Sequence, residues 1–421
     1  MLDVQVECRR RGEWARVGAV TLGIFTVMTA ELLPVGLLTP VAAELKVSAG
    51  TAGLMVTVPG LVAAVSAPLI ALRAAGADRR TVLVLLMALV AAANLVTAAT
   101  GHFAVVLGAR VLLGVAIGGF WALAGGLAPR LVPAADVGRA TAVIFGGVSA
   151  ASVLGVPAAT TAAEWTGWRG AFGGVGVMAV LATIGLATLL QRLPGSRGAR
   201  GPDGGTDRVA GRGTGTRGVP GPGTGLGAGL ADLLRLPRSH ARVRTGLLLT
   251  LLLVTGHFLV YSFVRPVLAE HAHVPEGLLG VLLLGYGLAG VAGNFLAGPA
   301  AGRSPRRTLA VIAAALTATL LAFALVGGTT PVGAGLLLLW GLAYGGVSVG
   351  LQSWFMAAAP EDVETATGLY VSVFCLSIAL GALLGGLLVD ATTLTAVLLT
   401  GAALTLAACP AAVLPGRTHP A

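Results

Sequence analysis

Three residues able to carry charge sit inside long apolar runs. Glu31 lies in VGAVTLGIFTVMTAELLPVGLL (residues 17–38), Arg110 in GARVLLGVAIGGFWALAGG, and His257 in TGHFLVYSFVRPVLAEH. A charged side chain at the middle of a spanning helix costs roughly 2.5–3.5 kcal/mol on insertion scales. A carboxylate relieves that cost by taking a proton, so the first chemistry suggested is reversible protonation of Glu31. Pro34 follows three residues later and removes the N–H that would have bonded to the Ala30 carbonyl, which weakens the helix beside the acid. The competing reading makes Glu31 a tie between helices, or a group that reaches the membrane surface. Intramembrane ionisable groups are functional by default, and we follow that default here.

Arg110 cannot lose its charge cheaply, so it needs a partner, water or a substrate group. Gly114 and Gly118 follow at i+4 and i+8 and clear one helix face for close packing. A structural Arg bonded to backbone carbonyls is the alternative. If Arg110 meets Glu31, the two form an ion pair that a proton or a substrate can break. His257, Tyr261 and Arg265 at i, i+4 and i+8 share a face. Histidine titrates near neutral pH, so one reading sets His257 across a central cavity from Glu31. The other makes His257 and Tyr261 hydrogen-bonding groups between helices. Arg265, near a helix end, reads as an interface anchor. Asn94, Trp121, Asn294, Trp340, Tyr344 and Gln352 fall in mid-membrane runs and, with Tyr261, suit a pocket for an amphipathic ligand. Each of them taken singly also suits packing. The expected division is proton coupling by Glu31, Arg110 and His257, and substrate contact by the other seven.

The elements that must position these groups follow from the totals. Of 421 residues, 56% are hydrophobic and only 10% charged, against about 25% charged in soluble domains. The mean hydropathy is +0.90. This is the composition of an all-α integral membrane protein with the lipid bilayer as solvent. A formal charge of +10 would suit nucleic acid, but the arginines lie between apolar runs, where they orient helices; no nucleic-acid partner is expected. Cys8, Cys375 and Cys409 have no ligand spacing, which argues against a disulfide framework or a metal site. No cofactor is expected. The first apolar run is too long, and carries Glu31, so it reads as retained rather than as a cleaved signal.

Apolar lengths predict twelve spans, near 17–39, 51–72, 81–100, 103–128, 138–162 and 171–190, then 245–268, 277–300, 308–327, 331–358, 364–388 and 393–414. Residues 1–16 are a basic N-terminus. Residues 17–190 form one six-helix bundle and 245–414 a second, with a tail at 415–421. Between the bundles, 191–244 is rich in Gly, Pro, Thr and Arg and reads as a disordered linker; Leu230–Leu236 within it reads as a surface-lying piece. Arginines crowd the N-terminus, the linker, alternate loops and the tail, which predicts cytoplasmic termini in a plasma or inner membrane. Arg79-Arg80-Thr81 recurs as Arg306-Arg307-Thr308, and 308 − 81 = 227. Gly60 and Gly287, Gly114 and Gly341, Gly118 and Gly345, and Pro133 and Pro360 keep the same offset. Leu337 stands at the repeat of Arg110, so the fold itself does not demand that charge. An even-span repeat makes two parallel bundles, the architecture of alternating-access carriers with a midplane site.

At this point the chain resembles the major facilitator superfamily. It is most similar to the twelve-span drug:proton antiporters that include arabinose, purine ribonucleoside and chloramphenicol exporters. TAELLPVGLLTPVAAEL, GARVLLGVAIGG, GVSAASVLGVPAAT and GHFLVYSFVRPVL carry the resemblance. It implies the major facilitator fold and proton-coupled efflux of a small organic compound, with Glu31 as the first-span acid and Arg110 as the fourth-span arginine. It also implies an antiporter motif around Gly155 and Pro157. Arg79, Arg80, Arg306 and Arg307 fall in the family's gating loops. There the chain departs from the pattern: Asp78 stands directly beside Arg79, and AGPAAGRSPRR has no acid. A monomer working with a small-molecule substrate and protons is expected. The rivals are a sugar or nucleoside facilitator or importer on the same fold, an intramembrane enzyme, for which no convergent catalytic set is visible, and a non-transporting sensor.

Overall fold

The computed structural model describes residues 2–74, 77–124, 127–192, 235–360 and 362–413. Among them the chain is helical, with no strand. The first half holds α1 (Leu2–Leu45), α2 (Ala49–Ala74), α3 (Arg79–Ala99), α4 (Phe103–Ala124), α5 (Val137–Ala150) and α6 (Val156–Leu189). The second holds α7 (Ala241–Tyr261), α8 (Glu276–Arg303), α9 (Pro305–Val326), α10 (Thr330–Gly345), α11 (Val347–Ala358), α12 (Val363–Ala391) and α13 (Leu394–Val413). The tail at 415–421 and most of the expected linker, 193–234, lie outside the described residues.

Eleven helical stretches among the described residues are long and apolar enough to cross a membrane. One of them, Gly146–Leu189, runs 44 residues, about twice the length a hydrocarbon core needs at 1.5 Å per residue. It breaks at Gly167, whose φ of 70° and ψ of 170° are not helical; a residue without Cβ takes this left-handed φ at little cost. The stretch is therefore two crossings, and the total is twelve. The first helix starts well before residue 17, and Arg139 stacks on Trp14 at 5.0 Å in that extension.

Each half has its own apolar core. One gathers Val27, Ala30, Leu33 and Leu37 of α1 with Leu113, Phe120 and Phe172. The other gathers Phe258, Tyr261, Tyr286, Leu337 and Trp340. Alternate faces of α1 serve both cores: Val35 belongs to the second, and Leu32 packs against it. The seam between halves runs where α2 lies on α12 and α1 meets the residues just after α7.

The 227-residue repeat reappears in tertiary contacts. A Cβ on Gly114 would fall 2.7 Å from the Pro59 carbonyl, and one on Gly118 2.8 Å from the Ala63 carbonyl. In the second half Gly341 presses on the Tyr286 carbonyl and Gly345 on that of Gly290. All four partners obey the same offset, so α4 on α2 and α10 on α8 are one packing solution used twice. Small residues let helix backbones approach in lipid, where van der Waals contact replaces the hydrophobic drive. Gly345→Ala is expected to destabilise the protein by about 1–2 kcal/mol through overpacking, read as a lower unfolding temperature in detergent. Gly368, with open space around it, is the control, and equal effects at the two sites would refute this account.

The loop ends explain the departures in the arginine motif. Asp78 caps α3: its carboxylate accepts from the Arg80 amide at 3.3 Å and from the Thr81 hydroxyl at 3.1 Å. Ser304 caps α9 by accepting from the Arg307 amide at 3.4 Å. Either residue satisfies an orphan helix N–H, so an acid is dispensable there. Arg80 donates to the Ala187 carbonyl, and Arg306 to that of Ala412 at 3.0 Å. Each ties the end of its own half's last crossing.

Candidate functional site

Two prolines in α1 leave two carbonyls without their helical donor, and two arginines take them. Pro34 frees Ala30, and Arg110 Nη1 donates to that carbonyl at 3.3 Å. Pro40 frees Gly36, and Arg265 Nη1 donates to that one at 3.1 Å. A proline lacks the i→i−4 donor, and a buried carbonyl left unpaired costs about 1–3 kcal/mol, so each arginine supplies what the helix lost. Arg110 comes from the same half as α1. Arg265 comes from the other half and also lies 3.5 Å from Glu276.

Arg110 is wholly buried. Its Nη2 donates to the Thr97 hydroxyl at 3.5 Å, its guanidinium lies 4.8 Å over the Phe172 ring, and its Nε has no partner. It makes no ion pair with Glu31. The structure thus puts Arg110 on the backbone one residue from the acid. Asn94, one helical turn from Thr97, is fully buried; its Nδ2 donates to its own helix at Val90 and its Oδ1 is unpartnered.

Glu31 is 5% exposed, and no hydrogen bond or ion pair reaches its carboxylate among the described residues. It stands one residue from Ala30 of the first core and four from Val35 of the second, so it faces the seam. Cys375, from the second half, belongs to the same apolar core as Ala30.

His257 is fixed from several sides. Trp340 Nε1 donates to its Nδ1 at 3.1 Å. An indole N–H can only donate, so Nδ1 accepts and the imidazole proton sits on Nε2. The ring stacks on Tyr344 at 3.3 Å and 8°, and on Tyr261 at 5.0 Å and 21°. Tyr261 in turn stacks on Tyr286 at 4.9 Å. The imidazole packs on rings of its own half, and among the described residues no hydrogen bond or ion pair joins it to Glu31. Tyr286 escaped the sequence reading; its place four residues from Leu282 in an apolar stretch of α8 resembles packing, and only the neighbouring rings reveal it.

The remaining residues scatter. Trp121 lies half-buried by Ile24, Val27 and Met28 in the first half. Asn294 is half-buried on α8, and Gln352 is exposed on α11. Neither joins the aromatic cluster. Gly155 packs on Thr29 of α1, where a Cβ would lie 3.2 Å from the threonine Cβ. The turn just before Pro157, Ala151–Gly155, is π-helical; the proline cannot bond to the Val153 carbonyl, and the helix widens there.

The seam is sealed at the end that carries the α1–α2 loop. Asp390 at the end of α12 accepts from the Gly50 amide at 2.9 Å and from the Ser48 hydroxyl. Arg265 on Gly36 closes the same end. The candidate site therefore comprises a buried acid in the first half and an aromatic cluster in the second, with the seam between the halves closed at one end.

A family model described as Major Facilitator Superfamily matches residues 20–381 and 246–421. Curated relatives include "Transcription regulatory protein OpdE" of Pseudomonas aeruginosa, 34% identical over 90% of this chain and 88% of its own length. "Purine ribonucleoside efflux pump NepI" of Salmonella typhimurium is 31% identical over the same shares. Among solved structures, the human organic anion transporter MFSD10 (TETRAN) superposes with a TM-score of 0.63 at 20% identity, covering 95% of this chain and 99% of that one.

Proposed function

This chain belongs to the Major Facilitator Superfamily, and on that premise we propose that it exports a small planar organic compound in exchange for protons. Membership makes it a multi-pass membrane transporter, a carrier rather than an enzyme. The single observation that carries the finer reading is Glu31: a buried acid at the seam, reached by no hydrogen bond or ion pair among the described residues. A carboxylate in such a place is stable protonated and costly charged, so it suits a group loaded on one side of the membrane and unloaded on the other. Arg110 holds the helix beside it. The aromatic cluster of His257, Tyr261, Tyr286, Trp340 and Tyr344 offers ring faces and hydroxyls, which suit a flat heterocycle. A relative named as a purine ribonucleoside efflux pump makes purine ribonucleosides the first class to test.

In this reading the termini lie in the cytoplasm of a cell membrane, as the arginine distribution favours. The sealed α1–α2 end is then the outer gate, and the chain works as a monomer of two rocking bundles. Arg80 and Arg306 hold each bundle's cytoplasmic rim together while the bundles move.

The test is flux of radiolabelled adenosine in proteoliposomes with and without an imposed pH gradient. One proton crossing 100 mV releases about 2.3 kcal/mol, enough for accumulation of about 50-fold. Gradient-driven accumulation that a protonophore abolishes supports antiport. Equal flux with and without the gradient makes the chain a facilitator. Absence of flux across a panel of nucleosides, sugars and drugs favours a sensor, the reading to which a relative named as a regulatory protein lends weight.

A further inference from the structure

We propose that Arg265 is a latch between the halves: it holds the sealed end shut through the Gly36 carbonyl of the first half and, when that end opens, is kept by Glu276 of its own half. The proposal rests on the reading of that end as a gate and adds a positioning residue to it.

The acceptor side is built for a removable donor. Pro40 leaves the Gly36 carbonyl without its helical N–H, and Gly36 is buried where both halves meet. A Cβ there would lie 3.5 Å from the Thr160 Cβ of α6 and 4.0 Å from Leu283 of α8. Arg265 Nη1 reaches the carbonyl at 3.1 Å, while its Nη2 lies 3.5 Å from Glu276 Oε1. One guanidinium thus faces both halves with different donors. When the first contact breaks, the second remains, so the cation keeps a partner. The carbonyl borders a cavity with Gly36, Thr160 and Glu164 on one wall and Arg265, Glu276 and Leu283 on the other. As the walls part, water takes the place of the arginine. The Ala30 carbonyl is the contrast: its arginine belongs to the same half, so no movement between halves breaks that bond.

The donor side sits on a broken helix. α7 ends at Tyr261, and helical structure resumes as Val264–Pro266 followed by the π-helical turn Val267–His271. Pro266 has no N–H for the Ser262 carbonyl, and Ser262 Oγ is buried with no partner among the described residues. Breaks of this kind absorb the dihedral changes of a hinge. Phe263, two residues before the arginine, fills a small core with Leu38, Ala42 and Ala52 of the first half. The sealed end therefore has an apolar plug and, next to it, a polar latch on the same segment.

The test is the distance between spin labels on the purified full-length protein, with no ligand added. The labels go on His102→Cys in the first half and Gly328→Cys in the second, both exposed in loops at the sealed end, with Cys8, Cys375 and Cys409 replaced by alanine. Arg265→Met is expected to raise the long-distance population about fivefold or more. Arg265→Lys is expected to restore most of the closed population, because an ammonium still donates to a carbonyl. Pro40→Ala gives Gly36 a helical donor, which weakens the hold of the arginine. It is expected to open the end with Arg265 intact and to open it no further beside Arg265→Met. Glu276→Gln is expected to leave the end closed. If the end stays closed in both Arg265→Met and Pro40→Ala, Phe263 and Asp390 hold the seam alone, and the proposal is overturned. Opening by Glu276→Gln as far as by Arg265→Met overturns it too. Where Arg265→Met does not fold, Pro40→Ala decides. A closed end in these variants with gradient-driven export intact removes the latch alone; an opened end without gradient-driven flux removes the export reading and leaves the latch.

Discussion

Glu31→Gln abolishes substrate accumulation driven by a pH gradient while substrate exchange down its own gradient persists. The amide matches the carboxyl in size but takes no proton in the working pH range, so the free energy of proton entry no longer reaches the substrate. The expected effect is the loss of the whole driven gradient, about 50-fold at 100 mV, down to a ratio near one. Folding is expected to survive, because Glu31 is buried and, among the described residues, no hydrogen bond or ion pair to its carboxylate is lost with it. Proteoliposomes carrying equal amounts of the two proteins make the comparison, with the unfolding temperature as the control for folding. Accumulation retained at the level of the unsubstituted protein would take Glu31 out of the mechanism.

Arg110→Met lowers stability by about 2–4 kcal/mol, and adding Pro34→Ala restores most of it. The first substitution strands the Ala30 carbonyl, weakens the setting of Thr97 and deletes the stack over Phe172; an unsatisfied buried acceptor costs about 1–3 kcal/mol and a cation–π contact adds about 0.5–2. The second substitution returns an N–H at position 34, which closes the helical bond to Ala30 without the arginine. Thermal unfolding of the two single variants and the double variant measures the rescue. An arginine held chiefly as a counter-charge to Glu31 predicts no rescue, because a backbone donor cannot replace a charge. The same logic separates stability from transport: if the double variant folds well yet does not transport, Arg110 has a role beyond the carbonyl.

Much of this molecule is legible without coordinates, because a bilayer imposes strong rules on a chain. Spanning segments must be apolar, near 20 residues long and internally hydrogen-bonded, so twelve crossings, the long break between halves and the 227-residue repeat follow from residue types and spacing. The glycines at 114, 118, 341 and 345 are readable as packing positions for the same reason. Arg110 and Glu31 stand out because charge is rare in such a setting. Even the freed carbonyl of Ala30 follows from Pro34 alone.

What spacing along one helix cannot supply is the partner on another helix. Ala30 needed a donor, but only the folded arrangement chooses Arg110 for it and sends Arg265, from the opposite half, to the carbonyl freed by Pro40. A 227-residue offset sets His257 near the position of Glu31 in the repeat, yet the rings of Tyr344 and Trp340 pack on the imidazole and tie it to its own half. Asp78 looks like a displaced motif acid until the first turn of α3 shows two donors waiting for it. Periodicity reports which face of a helix is apolar; which neighbour covers that face depends on how every other helix packs, and that is a property of the whole chain.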